Sequence, residues 1–222
     1  METPSKQLSL NMGEEAYRAI IRKILGGTFH PGELLREVEL AEQLGISRTP
    51  VSVALNRLVS EGFLEKRKKN GCIIPLPSAD DARKVFYARQ VIEGQTAAAA
   101  ARNTRPEDLD ELARALEIQA QSLATNSREL FSSSNEAFHM GIARMSGNPY
   151  FERYCRHAFW RSNLYVFFFD AFYTHLEHAG PVSKTSIHHR QILEAIAGRD
   201  AEEARRLMEQ HVLVTYEGLL VS

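Results

Sequence analysis

Gly45-Ile46-Ser47-Arg48-Thr49-Pro50-Val51-Ser52-Val53-Ala54-Leu55-Asn56-Arg57-Leu58 holds a helix stop, a helix start and one clean apolar stripe. Gly45 ends a short helix whose inward residues are Leu40, Ala41 and Leu44, and Ser47 offers an N-cap for the next. Only three residues intervene. Val51, Ala54, Leu55 and Leu58 then share one helical face, which leaves Arg48, Thr49, Ser52, Val53, Asn56 and Arg57 on the other. The outward face is polar and basic.

Working outward, Ala16, Ile20 and Ile24, with Tyr17 and Ile21 beside them, predict an earlier amphipathic helix that stops at Gly26-Gly27. On the other side, Gly62–Lys66 and Cys72–Ile74 flank Lys68-Lys69-Asn70-Gly71, and Asn-Gly between strand-like runs predicts a hairpin with a basic tip. Helix, helix, close turn, helix and basic hairpin is the layout of a winged helix-turn-helix, whose third helix suits the DNA major groove. A protein-interaction module with the same elements is the competing reading.

The chain has 222 residues, 44% of them hydrophobic and 25% charged, enough apolar mass for a core and too little charge bias for disorder. Its formal net charge of −1 excludes coating nucleic acid by bulk positive charge, but the sum hides an asymmetry. Residues 1–78 carry 11 basic and 9 acidic side chains and the remainder 16 and 19, while Leu44 to Asn70 alone is +4. Cys72 and Cys155 suggest neither a disulfide framework nor a cysteine zinc site, and the longest apolar run, Leu164 to Phe169, is too short to span a bilayer. A soluble, cytoplasmic protein without a membrane role is the expectation.

Closely spaced prolines in Pro75-Leu76-Pro77-Ser78 separate the two regimes, giving a DNA-binding domain at 1–76 and a helical domain at 77–222. The fold class expected is mostly α: the winged unit followed by an antiparallel bundle of helices near 80–103, 106–125, 128–146, 149–178, 182–198 and 200–219. Asn135 and His139 lie four apart on one face beside Phe131, Phe138 and Ile142. His189 shares a stripe with Ile192 and Ile196, and His211 with Leu207, Met208 and Val214. Three inward imidazoles with an amide oxygen can assemble a site for a divalent metal, zinc by default, with nickel or manganese as alternatives. Each histidine alone is more often a satisfied core or surface residue. The aromatic run from Phe159 to Tyr173 suggests core and dimer packing.

Pro31-Gly32, Glu39-Leu40-Ala41, Gly45 to Val51, Ala54-Leu55, Leu58, Glu61-Gly62 and Asn70-Gly71 resemble the GntR family of bacterial transcription regulators. Arg89, Glu93, Asn135 to His139, Ser146-Gly147-Asn148 and His189 to His211 resemble the helical effector domain, the FCD domain, of its FadR-type branch. The resemblance implies operator DNA as partner, and Asn135, His139, His189 and His211 as metal ligands, with Asn135 standing where an aspartate is usual. It also puts Arg89 beside an effector cavity; the plain alternative is an ion pair with Glu93. Ser52 stands where relatives commonly carry an arginine, and Val38 where a charge is frequent, so Arg36 is the candidate contact from the second helix.

Candidate DNA contacts are therefore Arg36, Ser47, Arg48, Thr49, Ser52, Asn56, Arg57, Lys68, Lys69, Asn70 and Gly71. Arg48 leads, because a guanidinium in the first turn reaches a guanine edge or a phosphate. Arg57 reads as a backbone contact or a solvent-exposed charge, and Gly71 as a point of close approach to phosphate. One recognition helix reads few base pairs, so a homodimer on a pseudo-palindromic operator is expected. The function implied is a metabolite-responsive regulator, a repressor released by a small carboxylate held near the metal. A regulator with a metal-free pocket is the alternative; an enzyme is disfavoured, since no general base accompanies the histidines.

Overall fold

Buried Ala16, Tyr17, Ile20 and Ile24 form the inner stripe of α1 (Pro4–Leu25) in the computed structural model, which describes residues 4–67, 71–168 and 184–220. The chain divides into two compact units, Met1–Pro77 and Ser78–Ser222. In the first, α1 is followed by β1 (Leu34–Leu35), α2 (Glu37–Leu44), α3 (Arg48–Ser60), β2 (Glu65–Arg67) and β3 (Gly71–Ile73). Gly45, in the left-handed region at φ 65°, directs its N–H back to the Ala41 and Glu42 carbonyls. That cap makes the turn into α3 short enough to set α2 and α3 against each other.

The wing differs from a two-stranded hairpin in two ways. β1 joins it, giving an antiparallel sheet of order β1-β3-β2 with Leu35 opposite Cys72 and Lys66 opposite Cys72 on the far side. The strand expected from Gly62 starts only at Glu65, because the Phe63 and Leu64 amides both bond to the Leu58 carbonyl and their side chains are buried in the core. Isolated hairpins are marginal in water, so a third strand and two core anchors stiffen the wing.

The second unit is all helical among the described residues: α4 (Ala79–Asn103), α5 (Pro106–Ala124), α6 (Arg128–Met145), α7 (Pro149–Phe168), α8 (Lys184–Ala197) and α9 (Ala201–Leu220). Ser78 and Ser127 cap α4 and α6 by accepting from the Asp81 and Leu130 amides. Small residues Ala97, Ala98, Ala100 and Ala101 are buried along α4, which packs against α9, α7 and α6. Phe86, Leu112, Phe138, Ile142, Ile192, Ile196, Met208 and Val212 form the core between the helices. The stretch expected to carry a helix on to 178 lies, beyond Phe168, outside the described residues, as do Phe169, Phe172, Tyr173, His175 and His178. No helix among the described residues is long and apolar enough to cross a membrane.

Candidate functional site

Arg48 opens α3 with its side chain 68% exposed, preceded by Ser47 at the N-cap and followed by exposed Thr49. Ser47 has the extended backbone of a cap, but its hydroxyl makes no capping bond. Ser52 and Asn56 follow on the outward face; Ser52 donates to Glu37 Oε1 at 2.9 Å, and Asn56 Nδ2 donates to the Ser52 carbonyl. Arg36 is exposed and paired with Glu39 at 2.6 Å. Glu37, absent from the residues expected at this face, also stands 3.7 Å from the Arg48 guanidinium. It enters because Ser52 is short: α2 and α3 approach closely there, and the carboxylate takes the hydroxyl and the neighbouring arginine.

Two of the expected contacts have structural duties. Arg57 is neither a free surface charge nor reaching outward: it donates to Glu61 at 3.0 Å and to Glu14 at 2.5 Å, and it lies 3.8 Å over the Tyr17 ring. Tyr17 in turn donates to the buried Glu61 carboxylate at 2.7 Å. The cluster ties α1 to α3, which aims α3. Arg57→Ala leaves Glu61 buried with Tyr17 as its remaining donor here and should cost about 1–3 kcal/mol, read as a lower thermal midpoint with Arg48 untouched. Gly71, at φ 104°, would drive any Cβ to within 2.3 Å of the Leu35 carbonyl oxygen. Its glycine is required by the approach of β3 to β1, whatever it does at phosphate. Lys68, Lys69 and Asn70 lie outside the described residues.

In the helical unit, His139, His189 and His211 converge from α6, α8 and α9, all buried, with one ring nitrogen from each lying within 4.8 Å of the others. His189 Nε2 and His211 Nε2 are 3.2 Å apart. Tetrahedral zinc with bonds of about 2.0–2.1 Å separates its ligand nitrogens by about 3.3–3.4 Å, so this donor pair fits a shared cation. Asn135, one turn before His139, is buried and lines a small, partly open cavity with Arg89, Phe131, Asn163, Val166, Thr185, His211 and Thr215.

Arg89 lines the cavity and pairs with Glu93 at once. Its side chain is 2% exposed and lines the cavity, while Nε donates to Glu93 Oε1 at 2.5 Å and Nη1 to Ser162 Oγ at 3.2 Å. The pair with Glu93 is therefore a buried one, far from a helix-surface pair in its energetics. The other Glu93 oxygen sits 2.6 Å from His139 Nδ1. An ionised carboxylate only accepts, so Nδ1 carries the proton, and the Nε2 lone pair faces Arg89 Nη2 at 3.3 Å. His189 Nδ1 likewise donates to Gln119 Oε1 at 3.1 Å. Glu93 and Gln119 thus fix two imidazoles in the tautomer a metal needs, the usual work of partners behind the ligands. Neither role is announced by spacing; the available signal is Gln119 as a polar residue in the inward stripe Leu112, Ala115, Gln119.

Burial drives the proton affinity of all three histidines down, His189 and His211 well below the ordinary imidazole range, and Glu93 only partly offsets this at His139. Burial alone would raise Glu93, but the Arg89 charge and the hydrogen bonds from His139 and Arg89 outweigh it and leave its pKa at about 2. Below pH 6.5 the unfolded chain therefore binds more protons than the folded one. Stability should fall on acidification from pH 7 to 5, by up to about 1.4 kcal/mol per pH unit for each histidine, with Glu93 adding to the loss below about pH 4.5. Thermal unfolding of chelator-treated protein across that range checks it; a flat midpoint contradicts neutral burial.

Two family models match the chain: "Bacterial regulatory proteins, gntR family" over residues 12–74 and "FCD domain" over residues 84–213. The Uxu operon transcriptional regulator of Escherichia coli K12 is 30% identical over 211 residues, spanning 87% of this chain and 81% of that protein. A probable D-xylose utilization operon transcriptional repressor of Paenarthrobacter nicotinovorans is 26% identical, spanning 96% and 91%. Among solved structures, E. coli McbR/YncC is similar at a TM-score of 0.73 and 25% identity, covering 98% of this chain and 99% of that one.

Proposed function

This chain belongs to the gntR family of bacterial regulatory proteins and carries an FCD domain, and we propose on that footing that it is a metabolite-responsive repressor. Its relatives are transcription regulators, and it is a regulator and not an enzyme. In our reading α3 enters the major groove of operator DNA with Arg48 as leading contact, supported by Ser47, Thr49, Ser52, Asn56 and Arg36. Lys68, Lys69, Asn70 and Gly71 of the wing add phosphate contacts, whose counterion release makes affinity fall with salt. Two copies bind a pseudo-palindromic operator in the cytoplasm. Exposed Tyr87 and Val91 on α4, and Tyr150 and Tyr154 on α7, favour pairing of two copies through the helical unit.

The observation that carries the sensing half is the meeting of three buried imidazoles, one of which, His211, lines a cavity together with the buried Arg89. His139, His189 and His211, with Asn135 as a weak fourth donor, would hold a divalent metal, zinc first, with nickel or manganese as alternatives. A bound metal supplies a Lewis-acidic anchor for carboxylate oxygens. Arg89 adds charge, and the amides and hydroxyls of Asn135, Asn163, Thr185 and Thr215 suit a hydroxylated acid. One relative's name places it on a sugar-utilisation operon, which favours sugar-derived acids. Footprinting purified protein on DNA upstream of its own gene, with sugar acids added, tests the reading. Protection that a small acid relieves is expected. Equal binding to random competitor, or protection indifferent to every acid and to metal removal, refutes it.

A further inference from the structure

Glu37 places a carboxylate on a face that otherwise suits a polyanion. It opens α2, with one oxygen accepting from Ser52 Oγ at 2.9 Å and the other 3.7 Å from Arg48 Nη2. The cation beside it in sequence does not compete for it, because Arg36 is paired with Glu39 at 2.6 Å. Glu37 therefore bridges α2 to α3 where the exposed arginine leaves the protein. A carboxylate in that position repels DNA phosphates and so weakens binding to every duplex, whatever its sequence.

The same contact supplies orientation. Arg48 is 68% exposed, and a long side chain without a neighbour there would be free to settle on any phosphate within reach. Glu37 draws the guanidinium to one side, and its own place is fixed by the Ser52 hydroxyl. At 3.7 Å the attraction is electrostatic and consumes none of the Arg48 donors, which stay available for a guanine O6/N7 edge. We infer that Glu37 is a specificity-determining residue: it positions Arg48 for a base edge and disfavours binding to phosphate alone, raising discrimination at the expense of affinity. Discrimination of this kind uses a repulsive element together with an attractive one. The inference rests on the reading of Arg48 as a DNA contact.

In the test, full-length protein selects its preferred duplex from a random library, and competition binding compares that duplex with random-sequence DNA at low and physiological salt. Glu37→Gln keeps an acceptor for Ser52 and removes the charge. It should bind random DNA about threefold or more tightly at low salt, a gain that shrinks as salt screens it. Its preference for the selected duplex should fall about tenfold. A purely structural role would instead weaken both duplexes alike. Glu37→Asp retains the charge but not the reach, so it should lower the preference without tightening random DNA, and it preserves the test if Glu37→Gln does not fold. On an Arg48→Ala background, Glu37→Gln should still tighten random DNA and leave whatever preference remains unchanged. Both Glu37 variants keeping the wild-type preference within about twofold, while Arg48→Ala loses it, overturns the positioning role and leaves α3 as the reading helix. A further loss of preference on the Arg48→Ala background makes Glu37 a base contact in its own right, which overturns it too. Wild type enriching no duplex, or Arg48→Ala keeping the full preference, overturns the reading of Arg48 itself.

Discussion

Arg48→Ala is expected to erase the preference for operator over random DNA while leaving the fold intact. The side chain stands at the first position of α3, 68% exposed, with only the distant Glu37 carboxylate beside it, so truncation disturbs no core contact. A bidentate arginine contact to a guanine edge discriminates by about 1–3 kcal/mol, and a dimer makes the contact in both half-sites. The loss is then roughly 30-fold to 10⁴-fold in specific affinity. Competition binding against random duplex measures it, and Arg48→Lys sharpens the result. Lysine restores attraction to phosphate without the planar fork, so it should recover non-specific affinity and little specificity. Arg48→Ala lowering both affinities in equal proportion would mean a phosphate contact; no change in either would remove Arg48 from the interface.

Glu93→Gln should strongly destabilise the helical unit. It keeps an acceptor for His139 but strips the counter-charge from Arg89, whose side chain is 2% exposed. Breaking a buried ion pair from one side costs about 3–5 kcal/mol, because the remaining charge stays buried and unpaired. In a protein of this size that lowers the thermal midpoint by roughly 6–20 °C. Adding Arg89→Met removes the stranded charge, and the double variant should recover most of the loss while losing affinity for anions. If the second change deepens the loss, the pair is not the electrostatic unit described. If Glu93→Gln melts like wild type, Arg89 is better solvated than its burial indicates.

What could be read before folding, and what could not, divides along local and non-local lines. The stripe Val51, Ala54, Leu55, Leu58 and the Gly45 stop each act within a few residues, so the helices were legible from periodicity and cap chemistry. The inward direction of His139, His189 and His211 was legible for the same reason, since each shares a stripe with aliphatic neighbours. The structural duty of Arg57 was not legible, because its partners Glu14, Tyr17 and Glu61 come mostly from another helix. The structural duty of Gly71 was not legible, because the close approach is to β1, a two-residue strand too short to leave a pattern.

By itself, the order of residues determined the elements, the boundary between a basic winged unit and a helical one, and the residue types available for chemistry, because helix periods, caps and turns are settled by near neighbours. Only the tertiary structure decided the partners: Glu37 beside Arg48 and Ser52, Glu93 shared between Arg89 and His139, Gln119 behind His189, and two imidazole nitrogens 3.2 Å apart. Charge compensation and tautomer depend on distances across the bundle between residues as many as 70 positions apart, and no local pattern encodes those distances.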